Sequence, residues 1–424
     1  MTDVRPFRGL RYDPSRVDLS SVIVPPYDVI AADERGSFYD RDPHNAIRFE
    51  LTRDVADEAS ADYSEIASTL EAWRASGVLV QDGEPVLYAM RQRYVSPSGE
   101  TLERTGFFAE LGLAEYDERQ VLPHERTLAG PKADRLKLLR AAKANLSSVF
   151  MLYQDQRQEL AADFEAAFES DLLGEAKDDS GVEYAIASVR GEAADRVSAF
   201  LKTRSVVIAD GHHRYETALN YRREQREAGA GEGAPSEATL AYFANAYAPG
   251  SLLLPIHRVI REEAAPTDEQ WAERLPGWEH TKATVARAED VPAALDEHLG
   301  KLAGQPAFAA DDGSGTLRIF SRPEPLGDEL MVRVLEGEVI GNVFGLDTEA
   351  IRNGAVTFWK KAERAASDVR QGGGSIALYL NALTPDDVFR VTGAGEVMPQ
   401  KSTFFYPKIP TGIVFRMHEA ADSD

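Results

Sequence analysis

Residues 206–218 read VVIADGHHRYETA, and this stretch restricts the fold more than any other. Val206, Val207 and Ile208 form an apolar, β-branched run, the composition of a buried strand. Asp210 and Gly211 break that run. From Tyr215 to Arg226 the composition turns helical, with Tyr215, Ala218, Leu219 and Arg222 at the spacing of one helix face. The segment therefore predicts a strand, a tight polar turn and a helix. Such a unit aims backbone N–H groups and the positive end of a helix dipole at one point. Asp210, His212, His213 and Arg214 surround that point with an anion, two titratable rings and a fixed cation. The mixture suits a phosphorylated ligand accompanied by a metal ion. It also suits an ordinary structural turn in which Asp210 only caps the helix.

The rest of the chain predicts a mixed α/β (α+β) architecture in three regions. Region 1–105 holds the stiff turn Pro25-Pro26-Tyr27-Asp28 and an amphipathic helix with Tyr63, Ile66, Leu70 and Trp73 on one face. It also holds strands at 78–80 and 86–94, the second followed by the hairpin turn SPSG before 101–108. Region 106–260 alternates strands (107–113, 149–153, 182–189, 206–208) with helices (131–144, 160–168, 193–202, 215–226), and 240–247 reads as a further helix. Residues 227–237, EAGAGEGAPSE, read as a surface loop. Region 261–424 is a C-terminal α/β addition. It has a helix from Thr267 with Gln270 completing a capping box, and strands at 307–310, 317–321 and 375–380.

Composition removes several classes of function. Cysteine is absent from the 424 residues, so no disulfide, thiolate metal site or cysteine nucleophile exists. The net charge of −23 argues against nucleic acid as a partner. No window approaches the ~18 uninterrupted apolar residues of a membrane span, and the N-terminus lacks a secretory core. A cytoplasmic protein without a membrane partner is expected.

Other constellations carry chemistry. His124, Glu125 and Arg126, within LPHERT at 122–127, offer a general base or a metal ligand; a solvated loop with an ordinary ion pair is the alternative. The following helix carries Lys132, Arg135, Lys137, Arg140 and Lys143, a basic face able to draw phosphates toward that loop. Asp28 stands at the end of the Pro-Pro turn as a site residue or a structural one. Lys401, Ser402 and Lys408, in MPQKSTFFYPK at 398–408, suit phosphate or substrate binding as well as a packed aromatic strand with a snorkelling lysine. Pro255-Ile256-His257-Arg258 repeats the His-Arg pair after an apolar strand.

PPYDVI, LPHERT, ADGHHRYETAL and MPQKSTFFYPK, in this order, closely resemble the bacterial and archaeal family catalogued as domain of unknown function 1015. The central region also resembles the ParB/sulfiredoxin-like fold, whose Gly-x-x-Arg turn binds nucleotide phosphates; Gly211-His212-His213-Arg214 fits that pattern. The sulfiredoxin branch needs a cysteine where His212 stands, and the partition-protein branch needs a basic DNA-binding domain. The free-serine-kinase branch resembles the chain in both the Asp-Gly-His-His-Arg turn and the upstream Pro-His-Glu segment. That resemblance implies Glu125 as general base, with Asp210 and His212 beside it in catalysis. It implies Gly211, His212, His213 and Arg214 at the phosphates and Asp210 at Mg2+. His124, Arg126, Asp28, Lys401, Ser402 and Lys408 are accessory candidates. The implied activity is ATP- or ADP-dependent phosphorylation of free serine or a similar small molecule; the alternative is a nucleotide-binding regulatory or scaffold protein. The implied partners are nucleotide and small-molecule substrate, with homo-oligomerisation open.

Overall fold

Apolar runs such as LYAMRQRYV, TGFFAELG, VFMLY and TLAYFAN are too long and too buried to remain solvated, and they assemble into one sheet. The computed structural model describes residues 1–53, 61–125, 130–261, 263–399 and 401–419. The chain forms two units. One comprises Met1–Leu252, Thr392–Glu396 and the segment beginning at Pro407; the other comprises Leu253–Val391 and Val397–Tyr406.

The first unit is built on a nine-stranded mixed sheet. Its order is Val121–Leu122, Val206–Asp210, Val149–Tyr153, Ala238–Asn245, Thr101–Gly112, Leu87–Val95, Glu183–Val189 and Leu172–Lys177, with Val4–Arg5 also paired to Thr101–Gly112. The Val121–Leu122 and Val206–Asp210 strands run parallel, with Val206 opposite Val121 and Val207 opposite Leu122. One face of the sheet is covered by helices Ala161–Ser170, Gly191–Lys202 and His212–Glu227. Phe164, Val197, Leu201, Tyr215 and Leu219 pack there against Phe107, Met151, Ile208 and Phe243. A second core gathers the N-terminal segment, helix Ile66–Ala75 and helix Gly130–Ala142 around Tyr12, Phe49, Leu70, Leu138 and Phe415. Each such buried side chain contributes roughly 1.5–3 kcal/mol. The second unit has a six-stranded antiparallel sheet, ordered Glu279–Thr284, Thr316–Ser321, Ala307–Asp311, Ile376–Tyr379, His257–Ile260 and Val356–Trp359. The protein is thus mixed α+β.

The Thr267–Gln270 capping box and the 206–227 strand–turn–helix unit form as the sequence predicts. The helix expected at 240–247 does not. Ala238–Asn245 is a central strand, buried at every position between Val149–Tyr153 and Thr101–Gly112. A strand covered on both faces loses the two-residue alternation that would mark it, so its apolar run mimics a buried helix. The expected boundary at 105/106 falls inside the Thr101–Gly112 strand. The edge strand Leu172–Lys177, which has little apolar pattern, was not expected.

Candidate active site

Two loops leave the parallel pair of strands at the same edge, because Leu122 and Val207 are register partners and both chains run the same way. Loops beyond the carboxyl ends of adjacent parallel strands converge, which is where open α/β sheets place ligands. One loop is Pro123-His124-Glu125; the other is Asp210-Gly211. The strand register slips between Ile208 and Asp210, a bulge of the kind that re-aims side chains beside a site.

Side chains lock the loops together. His124 Nδ1 bonds the carbonyl of Ile208, which makes that nitrogen the N–H donor. The His124 backbone N–H donates to His212 Nε2 at 3.2 Å, and the two rings pack edge to face with centroids 4.6 Å apart. His212 is therefore a neutral acceptor at Nε2. Burial, reinforced by His124, lowers its pKa to about 3. His124 Nε2 faces Glu125 Oε1 at 3.4 Å. The His124 ring is 2% exposed and the Glu125 side chain 24%, so the carboxylate reaches solvent from a buried support.

Gly211 turns the chain into helix His212–Glu227 with φ +87°, a left-handed conformation that favours glycine. A Cβ there would also stand 2.9 Å from Arg214 Nε. The Arg214 guanidinium bonds the Ser148 carbonyl through Nη1 and faces Asp210 Oδ2 at 3.8 Å through Nη2. Its buried Nε has no hydrogen-bond partner among the described residues. Asp210 accepts from the Gly211 N–H and from Lys408 Nζ, each at 3.0 Å. Burial alone would raise the Asp210 pKa, but Lys408 and Arg214 hold it well below the usual carboxylate range. Lys408 is held by its backbone: Gln92 Nε2 donates to its carbonyl at 3.1 Å, and Arg104 donates to that of Pro407.

The Pro-Pro turn joins the same neighbourhood. Tyr27 lies beneath the Arg135 guanidinium at 4.1 Å, and the field of Arg214 reaches its hydroxyl. Asp28 is exposed on the short helix Tyr27–Val29, and its charge acts on His213. His213 is half-buried; burial lowers its pKa and Glu216 partly restores it.

The structure thus gathers Asp28, His124, Glu125, Asp210, Gly211, His212, His213, Arg214 and Lys408 in the first unit. Arg126 lies outside the described residues. Lys401 and Ser402 belong to the second unit. Three of the five basic residues from Lys132 to Lys143 are paired: Lys132 with Glu216, Arg135 with Glu50 and Asp134, and Arg140 with Glu224. Glu216, Glu50 and Glu224 come from other elements, which spacing along one helix does not reveal. Gln92, Arg104 and the Ser148 carbonyl carry no sequence signal, since each meets its partner only through the fold.

The residues present suit a phosphate group: a Cβ-free left-handed glycine, a sixteen-residue helix beginning at His212, an unpartnered arginine nitrogen and a nearby ammonium. They do not build a cation cage. No group of three or more His, Asp or Glu residues converges among the described residues, and Asp210 already meets Lys408 and Arg214.

No helix of the described residues is long and apolar enough to cross a membrane. No curated protein matches the chain. Among solved structures, a conserved hypothetical protein from Pyrococcus furiosus is similar at 15% identity and TM-score 0.35, over 74% of this chain and 97% of that one. A free serine kinase in complex with AMP is 16% identical, with TM-score 0.33, over 73% of this chain and 92% of that one. SbnI with a C-terminal truncation, from Staphylococcus aureus, is 12% identical, with TM-score 0.36, over 74% and 89%. The family model described as "Protein of unknown function (DUF1015)" matches residues 4–308, and the chain belongs to that family.

Proposed function

We propose that the first unit is a nucleotide-dependent phosphotransferase acting on the hydroxyl of a small molecule, with free serine or a similar compound as acceptor and ATP or ADP as donor. The observation that carries this reading is the interlock of the two loops. His124 ties Glu125 to the strand and helix that present Gly211 and Arg214, so a base and a phosphate cradle share one rigid support. The motif resemblance to free-serine kinases adds the acceptor class.

Glu125 takes the proton of the acceptor hydroxyl as its oxygen bonds to phosphorus, and the donor's bridging P–O bond breaks with its electron pair leaving on the nucleotide. Arg214 and the N–H groups opening the helix hold the phosphate oxygens and stabilise the charge on the transferring group. Neutral His212 keeps the base loop in place without adding charge. Lys408 balances Asp210. When bound, Mg2+ would neutralise phosphate charge; Asp210 is its candidate ligand only by giving up Lys408.

That same ion pair favours a second reading. Asp210 paired with two cations suits a nucleotide-binding regulatory module without turnover. The deciding experiment incubates the protein with Mg2+, ATP or ADP, and a panel of free amino acids and small alcohols, with products read by mass spectrometry. Phosphorylated acceptor that disappears in Glu125→Gln supports the kinase. Nucleotide binding with no product from any acceptor supports the regulatory module.

A further inference from the structure

The nine-stranded sheet has a second face, and part of it serves the site. Along Thr101–Gly112, Phe107, Ala109 and Leu111 point into the helix-covered core, so alternation turns Arg104, Phe108 and Glu110 the other way. Gln92, on Leu87–Val95, is the register partner of Arg104 and shares that face. Both side chains are buried, Arg104 at 1% exposure. Nε and Nη2 of Arg104 donate to Gln92 Oε1, and Nη2 also donates to the Pro407 carbonyl at 2.5 Å. The guanidinium thereby orients the Gln92 amide, whose Nε2 donates to the Lys408 carbonyl at 3.1 Å. Two side chains thus grip two successive carbonyls of the C-terminal segment.

The grip lies beside the strand that carries Asp210. The Arg104 guanidinium stands 4.9 Å from the centre of the Phe150 ring, and Phe150 is the register partner of Asp210. Further along the segment, Arg416 pairs with Glu110 on the same face. Burial pulls the Arg104 pKa below the usual arginine value. A cation there costs desolvation that an apolar side chain would avoid. Its planar fork supplies direction instead, since it fixes two acceptors at set angles. Lys408 needs such help. Its stem is flexible, and it meets Asp210 Oδ2 at 3.0 Å from a segment 198 residues away in sequence.

We propose that Arg104, acting through Gln92, is a positioning residue of the site: it fixes the Pro407–Lys408 backbone so that Lys408 meets Asp210. All of these residues belong to the first unit. The placement stands on geometry; its consequence for phosphoryl transfer rests on the phosphotransferase reading.

The test reads Lys408 itself. The full chain is reductively methylated with formaldehyde and cyanoborohydride, and the rate at Lys408 is followed by peptide mass spectrometry against that at exposed Lys202. Asp210→Asn sets the rate of a Lys408 freed from its ion pair. Wild-type Lys408 should react about fivefold or more slowly than that limit, and Arg104→Met should bring it most of the way there with Lys202 unchanged. Gln92→Glu gives Arg104 a carboxylate and removes only the donor to the Lys408 carbonyl, so it should keep the fold and still speed the reaction about twofold or more. It decides the matter if Arg104→Met fails to fold by circular dichroism. Wild-type Lys408 reacting as fast as in Asp210→Asn, or at an unchanged rate in folded Arg104→Met or folded Gln92→Glu, would overturn the inference. Equal acceleration at Lys202 would show general loosening and overturn it too. The readout needs neither nucleotide nor turnover, so a wild type that phosphorylates no acceptor would count against the phosphotransferase reading alone.

Discussion

Two charged clusters of the first unit differ in how completely they are closed. Around Arg135, every group has a partner inside the protein. The guanidinium meets Glu50 at 3.0 Å, Asp134 at 2.6 Å and the Tyr63 hydroxyl at 2.9 Å, and Thr411 completes Glu50. Burial opposes the charge, yet Glu50, Tyr63 and Asp134 raise the Arg135 pKa. Around Arg214, one donor nitrogen has no partner among the described residues, a helix begins at the same point, and Asp210 and Lys408 keep 18% and 19% side-chain exposure. A closed network fixes structure; an open one with donors to spare receives a ligand. The contrast sets a structural cluster against the candidate site.

The largest effect belongs to the closed cluster. Arg135→Met leaves Glu50 buried without its cation, and unfolding in urea should show a loss of about 3–5 kcal/mol. A loss below ~1 kcal/mol would show that the network is not closed as described. In the open cluster the loss should appear in binding. Arg214→Ala should weaken nucleotide affinity by about 10- to 100-fold, read by calorimetry, with a smaller change in stability. Unchanged affinity would remove the phosphate cradle. Gly211→Ala forces a side chain into the left-handed conformation and against Arg214, so a stability loss of about 1–3 kcal/mol is expected by thermal melting, together with weaker nucleotide binding. Stability and affinity both at wild-type values would show that the turn tolerates a Cβ.

What the sequence disclosed follows from how local each feature is. Val206 to Arg226 was legible because the β-branched run, the glycine and the helical spacing of Tyr215, Ala218 and Leu219 lie within one short segment. Glu125 was legible only as one residue of a loop. Its link through His124 to Ile208 and His212 needs the parallel pairing of two strands more than 80 residues apart. Lys408 stood out by composition, but its contact with Asp210 spans 198 residues and depends on the C-terminal segment returning to the first unit. Ala238–Asn245 was misread because burial on both faces erases the alternation that identifies a strand. The basic helix was legible only in part for the opposite reason: its charges are real, but Glu50, Glu216 and Glu224, which pair three of them, come from elsewhere.

The smallest effect is a slope. His212 has a folded pKa of about 3 against an ordinary 6.5. Between those values the unfolded chain binds a proton that the folded chain refuses, so stability rises with pH across that window and falls as acid is added. His257 and His418, also lowered to about 3, add to the same slope. Asp210, depressed instead, keeps its contribution down to the carboxylate range and loses it only below. His212→Gln retains an acceptor for the His124 N–H. It should flatten the urea-unfolding slope between pH 4 and 6 by up to about 1.4 kcal/mol per pH unit. An unchanged slope would mean that His212 is protonated in the folded protein.

The central claim is that Glu125 is a base held rigidly beside a phosphate cradle. It is tested most directly by measuring turnover and nucleotide affinity together in Glu125→Gln, with the acceptor found by the panel assay. The account predicts a fall in kcat of about 10²- to 10⁴-fold with nucleotide Kd within about twofold of wild type. Wild-type turnover in that variant would contradict it.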